Sequence, residues 1–226
     1  MRLWYNFEGK MFLIDGGETM AGSELYTTVR GEGTDEFEEK RSVFIGHAKH
    51  ITTEEEALDF VKQIKKKYYD ARHNVYAYVL SSAPVMRYSD DGEPQGTGGI
   101  PVLETINKSG VTDVCVVVTR YFGGILLGAG GLVRAYSHGA AIALRAAEIV
   151  TYRNHFIYEL VCSYQNYQKY LFEMSRAGIK EENTEFGELV TLRFAVLEEE
   201  AESFVKRISE IGNGRELPKK IDERFG

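Results

Sequence analysis

Apolar positions along the chain change period several times, and each change marks an element. Leu25-Tyr-Thr-Thr-Val29 alternates as a half-buried strand does, and Ser42-Val-Phe-Ile-Gly-His47 reads as a second. The acidic stretch between them, Gly31 to Glu39, reads as a loop. The period then lengthens. Ala57, Leu58, Val61, Ile64 and Tyr68 share one helical face, with Lys62, Lys65 and Lys66 largely on the other. Thr53, with Glu56 three residues on, supplies a capping box. Asn74 to Leu80 returns to strand, and Val85 to Tyr88 leads its hairpin partner into an acidic turn. Pro101 suits the first turn of a short helix over 102–108. The β-branched run Val114 to Val118 predicts a buried strand, and Leu132 to Ala147 a long apolar helix.

Beyond Tyr152 the pattern begins again. Strand 156–163, helix 166–177, strands 180–185 and 189–196, helix 199–211 and strand 216–221 follow in turn. That β-α-β-β-α-β order is ferredoxin-like. The chain therefore predicts an α+β fold of two two-layer domains, 24–148 and 152–226, joined by a tether around Val150 to Arg153. Residues 1–23 form an extension that carries Trp4 and no sustained period, broken by Asp15-Gly-Gly-Glu18. It reads as a short hairpin, a flexible tail or an extended translation start.

Composition narrows the classes of function. With 27 Lys+Arg against 34 Asp+Glu, the net charge of -7 excludes a general nucleic-acid coat, so any RNA contact needs a local basic patch. The longest apolar runs are too short to span a bilayer, and no signal or transit pattern opens the chain. Cys115 and Cys162 lie far apart in β-like runs and read as buried thiols of a reducing cytoplasm.

Three stretches carry candidate chemistry. Asp90-Asp91-Gly92-Glu93 sets three carboxylates within four residues, which suits either a tight turn or, at these same residues, a divalent cation. Otherwise no cofactor is expected. Arg120-Tyr-Phe-Gly-Gly-Ile-Leu-Leu-Gly-Ala-Gly-Gly-Leu-Val-Arg134 opens a helix from a glycine-rich loop. Gly123, Gly124, Gly128, Gly130 and Gly131 either permit close packing or bare backbone N–H groups to an anion, with Arg120, Tyr121 and Arg134 beside them. No Walker or dinucleotide spacing is present. Lys65 to Tyr78 interleaves basic residues with tyrosines, which suits either a helix's solvated end followed by a strand whose tyrosines pack or, with Arg72 and His73 as candidates, an RNA surface. Spacing supplies no nucleophile with a base, so no catalytic residue is assigned.

Taken together, Asp70-Ala-Arg-His-Asn74, Ser89-Asp-Asp-Gly-Glu-Pro94 with Gly96-Thr-Gly-Gly99, and Arg120-Tyr-Phe-Gly-Gly124 with Leu127 to Tyr136 closely resemble the IMPACT family, in its bacterial YigZ-type branch. The resemblance covers residues 24–145. It implies a first domain like one in a small-subunit ribosomal protein and in GHMP-type kinases, where a glycine loop before a helix binds phosphate. The second domain resembles a ferredoxin-like domain of elongation factor G. A link to translation follows, with RNA or a ribosomal particle as expected partner, a protein partner as a further expectation, and no membrane. Eukaryotic members restrain a starvation-response kinase, but they place an added interaction domain ahead of this one, and residues 1–22 are too short to be it. The expected protein is cytoplasmic and non-catalytic. The alternative is a metal-dependent enzyme acting on a phosphorylated small molecule.

Overall fold

The computed structural model describes residues 2–5, 11–14, 25–82 and 85–226, the first two stretches as backbone strands alone. These strands, β1 (Arg2–Tyr5) and β2 (Met11–Ile14), pair antiparallel. The expected break at Asp15 to Glu18 lies outside the described residues. Two compact units follow from the chain's contacts: Tyr26–Thr151, and Tyr152–Gly226 with the N-terminal residues clustered to it.

In the first unit the elements run β3 (Tyr26–Val29), β4 (Glu32–Glu39), β5 (Ser42–His50), α1 (Glu54–Lys67), β6 (His73–Leu80), β7 (Val85–Ser89), α2 (Gly99–Ser109), β8 (Val114–Tyr121), α3 (Ala129–Ala146) and β9 (Ile149–Tyr152). Five strands form an antiparallel sheet in the order β4-β5-β8-β6-β7. Strand alternation divides the core. Phe44, Val75, Ala77, Val116 and Val118 pack with α2 and α3, whereas Tyr78, Cys115 and Val117 pack with α1. The sheet is thus covered on both faces.

The cap of α1 differs slightly from the expected box. Thr53 Oγ1 accepts the Glu56 N–H at 3.2 Å, but the Glu56 carboxylate turns to Thr52, taking its N–H at 2.6 Å and its hydroxyl at 2.9 Å.

One expectation is corrected and one sharpened. The acidic stretch 31–39 is not a loop: eight of its residues form edge strand β4, in register from Glu32 opposite Lys49 to Glu39 opposite Ser42. Its carboxylates face water along an edge that charge protects from further pairing, while Phe37 turns inward to stack on Phe44. The tether expected around Val150 to Arg153 is itself structured, because Ile149–Tyr152 pairs with β3 as a two-stranded sheet.

Helix α3 lies unusually close on the sheet. A Cβ on Gly46 would stand 2.2 Å from the Gly139 carbonyl oxygen, and one on Gly33 2.2 Å from the Ala146 backbone. Only glycine permits this approach of backbone to backbone.

The second unit comprises β10 (Asn154–Cys162), α4 (Tyr164–Arg176), β11 (Glu181–Phe186), β12 (Val190–Leu197), α5 (Glu198–Ile211) and β13 (Lys219–Phe225), with sheet order β11-β12-β10-β13. This is the expected ferredoxin-like arrangement. Leu160, Leu192, Phe194, Phe204 and Ile208 fill its core, with Leu171 at the margin. Ile157 is buried on the opposite face, outside that cluster. Cys115 and Cys162 are free and buried. Among the described residues no helix is long and apolar enough to cross a membrane.

Candidate functional site

Antiparallel pairing carries the separate sequence motifs to one end of the first sheet. The start of β6 lies beside the end of β8 (His73 opposite Arg120), and the end of β8 beside the start of β5 (Arg120 opposite Phe44). The end of β7 lies at the same side, and from here the chain runs into α2 and α3.

The acidic turn is engaged residue by residue. Asp90 faces the start of α2: its Oδ1 accepts the N–H groups of Gly98 and Gly99 at 2.9 and 2.8 Å, and its Oδ2 that of Gly96 at 2.9 Å. Burial pulls its pKa upward, but the three backbone donors outweigh this and hold it below the usual carboxylate value. Asp91, at φ 46°, takes Lys65 Nζ at 2.5 Å and the Asn74 N–H at 2.6 Å. Gly92 follows with φ 86°, which closes the turn.

Glu93 points inward and is buried. Its Oε1 accepts Arg120 NH1 at 2.6 Å and the Tyr136 hydroxyl at 2.7 Å, with His73 Nε2 at 3.9 Å. Burial and the Glu93 charge push the Tyr136 hydroxyl up. His73 Nδ1 stands 2.8 Å from the Asp91 carbonyl oxygen, so the ring donates there. The three carboxylates therefore serve three different partners. Among the described residues no group of three His, Cys, Asp or Glu side chains is arranged to hold a metal. A cation at this turn would have to displace the α2 amides, Lys65 or Arg120.

The glycine-rich stretch follows β8 at the same end of the sheet. Arg120 is only 6% exposed, and its guanidinium lies 5.5 Å from the ring centroids of both Phe44 and Phe122. The sequence offers Arg120 as a donor to an anion beside the glycine loop; its NH1 is bound to Glu93 inside the protein, because its strand position faces the α2–α3 side. Arg120 Nε is buried without a partner. The Tyr121 hydroxyl donates to Asp70 at 2.7 Å, a bond that, with burial, pushes its pKa up to about 12. The Gly123 N–H donates to Ser42 Oγ at 3.1 Å, and a Cβ there would lie 2.0 Å from the Arg41 carbonyl, so the loop is pressed onto the β4–β5 turn.

Gly124 and Gly128 take φ 84° and 72°, and the chain then enters α3 with no acidic residue in its first turn. Among the described residues no side chain accepts from the N–H groups of Ala129, Gly130 or Gly131. Gly130 has free space around it, with Arg134 NH1 3.6 Å from where its Cβ would be. A Cβ on Gly131, by contrast, would meet Leu127 at 2.9 Å. Arg134 and Arg72 are exposed.

The structure thus gathers Asp90, Asp91, Glu93, His73, Arg120 and the glycine loop; Tyr121, next to Arg120 on β8, lies on the α1 side of the sheet with Asp70, and Arg134 and Arg72 stay outward. Lys65, Asn74 and Tyr136 join the constellation without having been singled out in the sequence. Tyr136 had a usable signal, since a tyrosine on the apolar face of a helix needs a partner for its hydroxyl.

The family model of the Impact N-terminal domain matches residues 40–144, and that of a domain of unknown function (DUF1949) matches residues 160–215. The chain is similar to the IMPACT family member YvyE of Bacillus subtilis, 37% identical over 191 residues that cover 84% of this chain and 88% of that one. It is similar also to the IMPACT family member YigZ of Escherichia coli, 35% identical over 180 residues, 77% of this chain and 87% of the relative. A solved structure described as that of a hypothetical protein aligns with TM-score 0.55 and 32% identity, covering 88% of this chain and 98% of its own.

Proposed function

The chain belongs to the IMPACT family, and on that premise we propose that it is a non-catalytic, cytoplasmic protein of the translation machinery that contacts RNA or a ribosomal particle through the start of α3. The observation that carries this reading is the bare first turn of that helix. Its N–H groups and positive dipole end face outward, glycine keeps side chains from covering them, and Arg134 stands over them. Such a site takes a phosphate group. The acidic turn adds little opposing charge, because Asp91 is paired with Lys65 and Glu93 with Arg120. The divergent bonds of Asp90, Asp91 and Glu93 support binding over metal-dependent turnover of a phosphate ester. The second unit is a poorer candidate for RNA: Glu159 and Arg193, directly opposed on the face away from its helices, neutralise each other at 2.9 Å.

The test is binding of ribosomal subunits and of protein-free ribosomal RNA across a salt series. Arg134→Ala removes a charge-assisted donor worth about 1.5–3 kcal/mol, so affinity should fall roughly ten- to a hundredfold and the salt slope by about one. Gly130→Val should weaken binding with little change in melting, since its Cβ finds room but screens the amides. An Arg134→Ala protein that binds both as wild type does at every salt concentration refutes the site.

A further inference from the structure

Immediately before α3 the loop displays apolar side chains that its own packing does not use. Leu126 is 82% exposed, and Phe122, Ile125 and, in the second turn of α3, Val133 are exposed as well. The display is rigidly mounted. Gly123 is wedged against Arg41 and bonded to Ser42 at one end, and Leu127 packs onto the core at the other. Apolar side chains held out on an anchored loop suit an interface, because docking them costs little ordering entropy. Lys40 and Arg41, both exposed, flank it on the β4–β5 turn with φ 48° and 63°.

We propose that this loop is a protein-docking knob, whose partner is a protein component of the translation machinery presenting an apolar pocket bordered by carboxylates. The inference rests on the reading above for the identity of the particle, but on different residues. Ile125, Leu126 and Val133 are aliphatic and give a nucleic-acid base no flat face to stack on, and the ring of Phe122 already lies against Arg120. An anionic bilayer calls for a cluster of about four or more cations, and the β4–β5 turn supplies two, Lys40 and Arg41. An acid-rimmed pocket satisfies both the apolar tip and the two flanking cations.

Leu126→Asp is the decisive variant, since the side chain packs against nothing that folding requires, and Leu126→Met is its conservative control. Wild type and Leu126→Met should bind ribosomal subunits at least tenfold more tightly than protein-free ribosomal RNA. Leu126→Asp should lose that advantage while binding the RNA unchanged. Equal losses on subunits and bare RNA would make the knob an RNA contact and overturn the proposal. Binding of wild type to phosphatidylglycerol vesicles that Leu126→Asp abolishes would make it a lipid contact and overturn it as well. So would unchanged binding of Leu126→Asp to every probe. Wild type that binds neither subunits nor RNA overturns the translation reading and this inference with it, a failure seen in wild type rather than in the variant.

Discussion

Helices α2 and α3 start at the same end of one sheet, each from a glycine-rich segment and each without an acidic residue in its first turn. One start is closed and the other open. At α2, Asp90 reaches forward across the turn and accepts three N–H groups, from Gly96, Gly98 and Gly99. At α3 no side chain among the described residues does the same. The difference explains why carboxylates precede the glycines at 96–99: the acid is the internal anion for that helix. A glycine-rich helix start with its own aspartate is architecture, and one without is a vacancy for a ligand's negative charge.

The heaviest blow to this comparison would fall on the pair that joins the two starts. Arg120→Ala leaves Glu93 buried with Tyr136 as its remaining donor, and should cost about 3–5 kcal/mol in urea unfolding. Because Arg120 is internal, loss of RNA binding in this variant should track unfolding; a folded, stable Arg120→Ala protein would show the two starts to be independent.

Next in size, Asp90→Ala orphans the α2 donors and should destabilise by about 3 kcal/mol, at 1–3 kcal/mol for each buried group and less where water reaches. Phosphate binding measured at a temperature where the variant is folded should be unchanged, since the α3 start does not use Asp90.

Acid titration separates a third contribution. His47 is buried with Nε2 unpartnered, and burial, with Lys67 nearby, lowers its pKa to about 4. Its folded pKa lies below its unfolded one, so the stability it confers is complete above about pH 6.5 and drains as pH falls toward 4, at about 1.4 kcal/mol for each pH unit. Asp90, also depressed when folded, contributes stability that is lost only below the ordinary aspartate range, near pH 4. His47→Gln should flatten the unfolding free energy between pH 6.5 and 4, and Asp90→Asn should flatten it below that window.

The smallest change is the most telling. Ala129→Asp places a carboxylate in the first turn of α3, giving that helix from within the anion that Asp90 gives α2 from outside. It should raise stability by up to about 1 kcal/mol and abolish phosphate and RNA binding. A variant that gains stability yet binds as before would locate the anion site elsewhere.

Most of the fold was legible because period and capping act over a few residues. Thr53 and Glu56 placed α1, and the second unit's strands and helices fell within a few residues of their expected spans. Strand β4 was not legible, since five of its eight residues are acidic and what makes them a strand is the partner β5, out of sight of local propensity. Of the candidate site, the residues were legible and their directions were not. Glu93 and Arg120 look like surface charges in sequence, and only the register of β8 against β5 and β6 turns them toward each other. The start of α3 at Ala129 rather than Leu132 was hidden for another reason: glycines are poor helix formers, and the helix begins among them because tertiary packing at Leu132 and Leu127 holds it there.

The glycine contacts beneath α3 have a mechanical meaning. A helix of 18 residues is about 27 Å long, and it touches sheet backbone at Gly46 near its middle and at Gly33 near its tail. It is mounted as a lever on a fulcrum, with its far arm clamped. The angle at which its first turn is offered to a ligand is therefore set by two residues, Gly33 and Gly46, that no ligand at that turn touches.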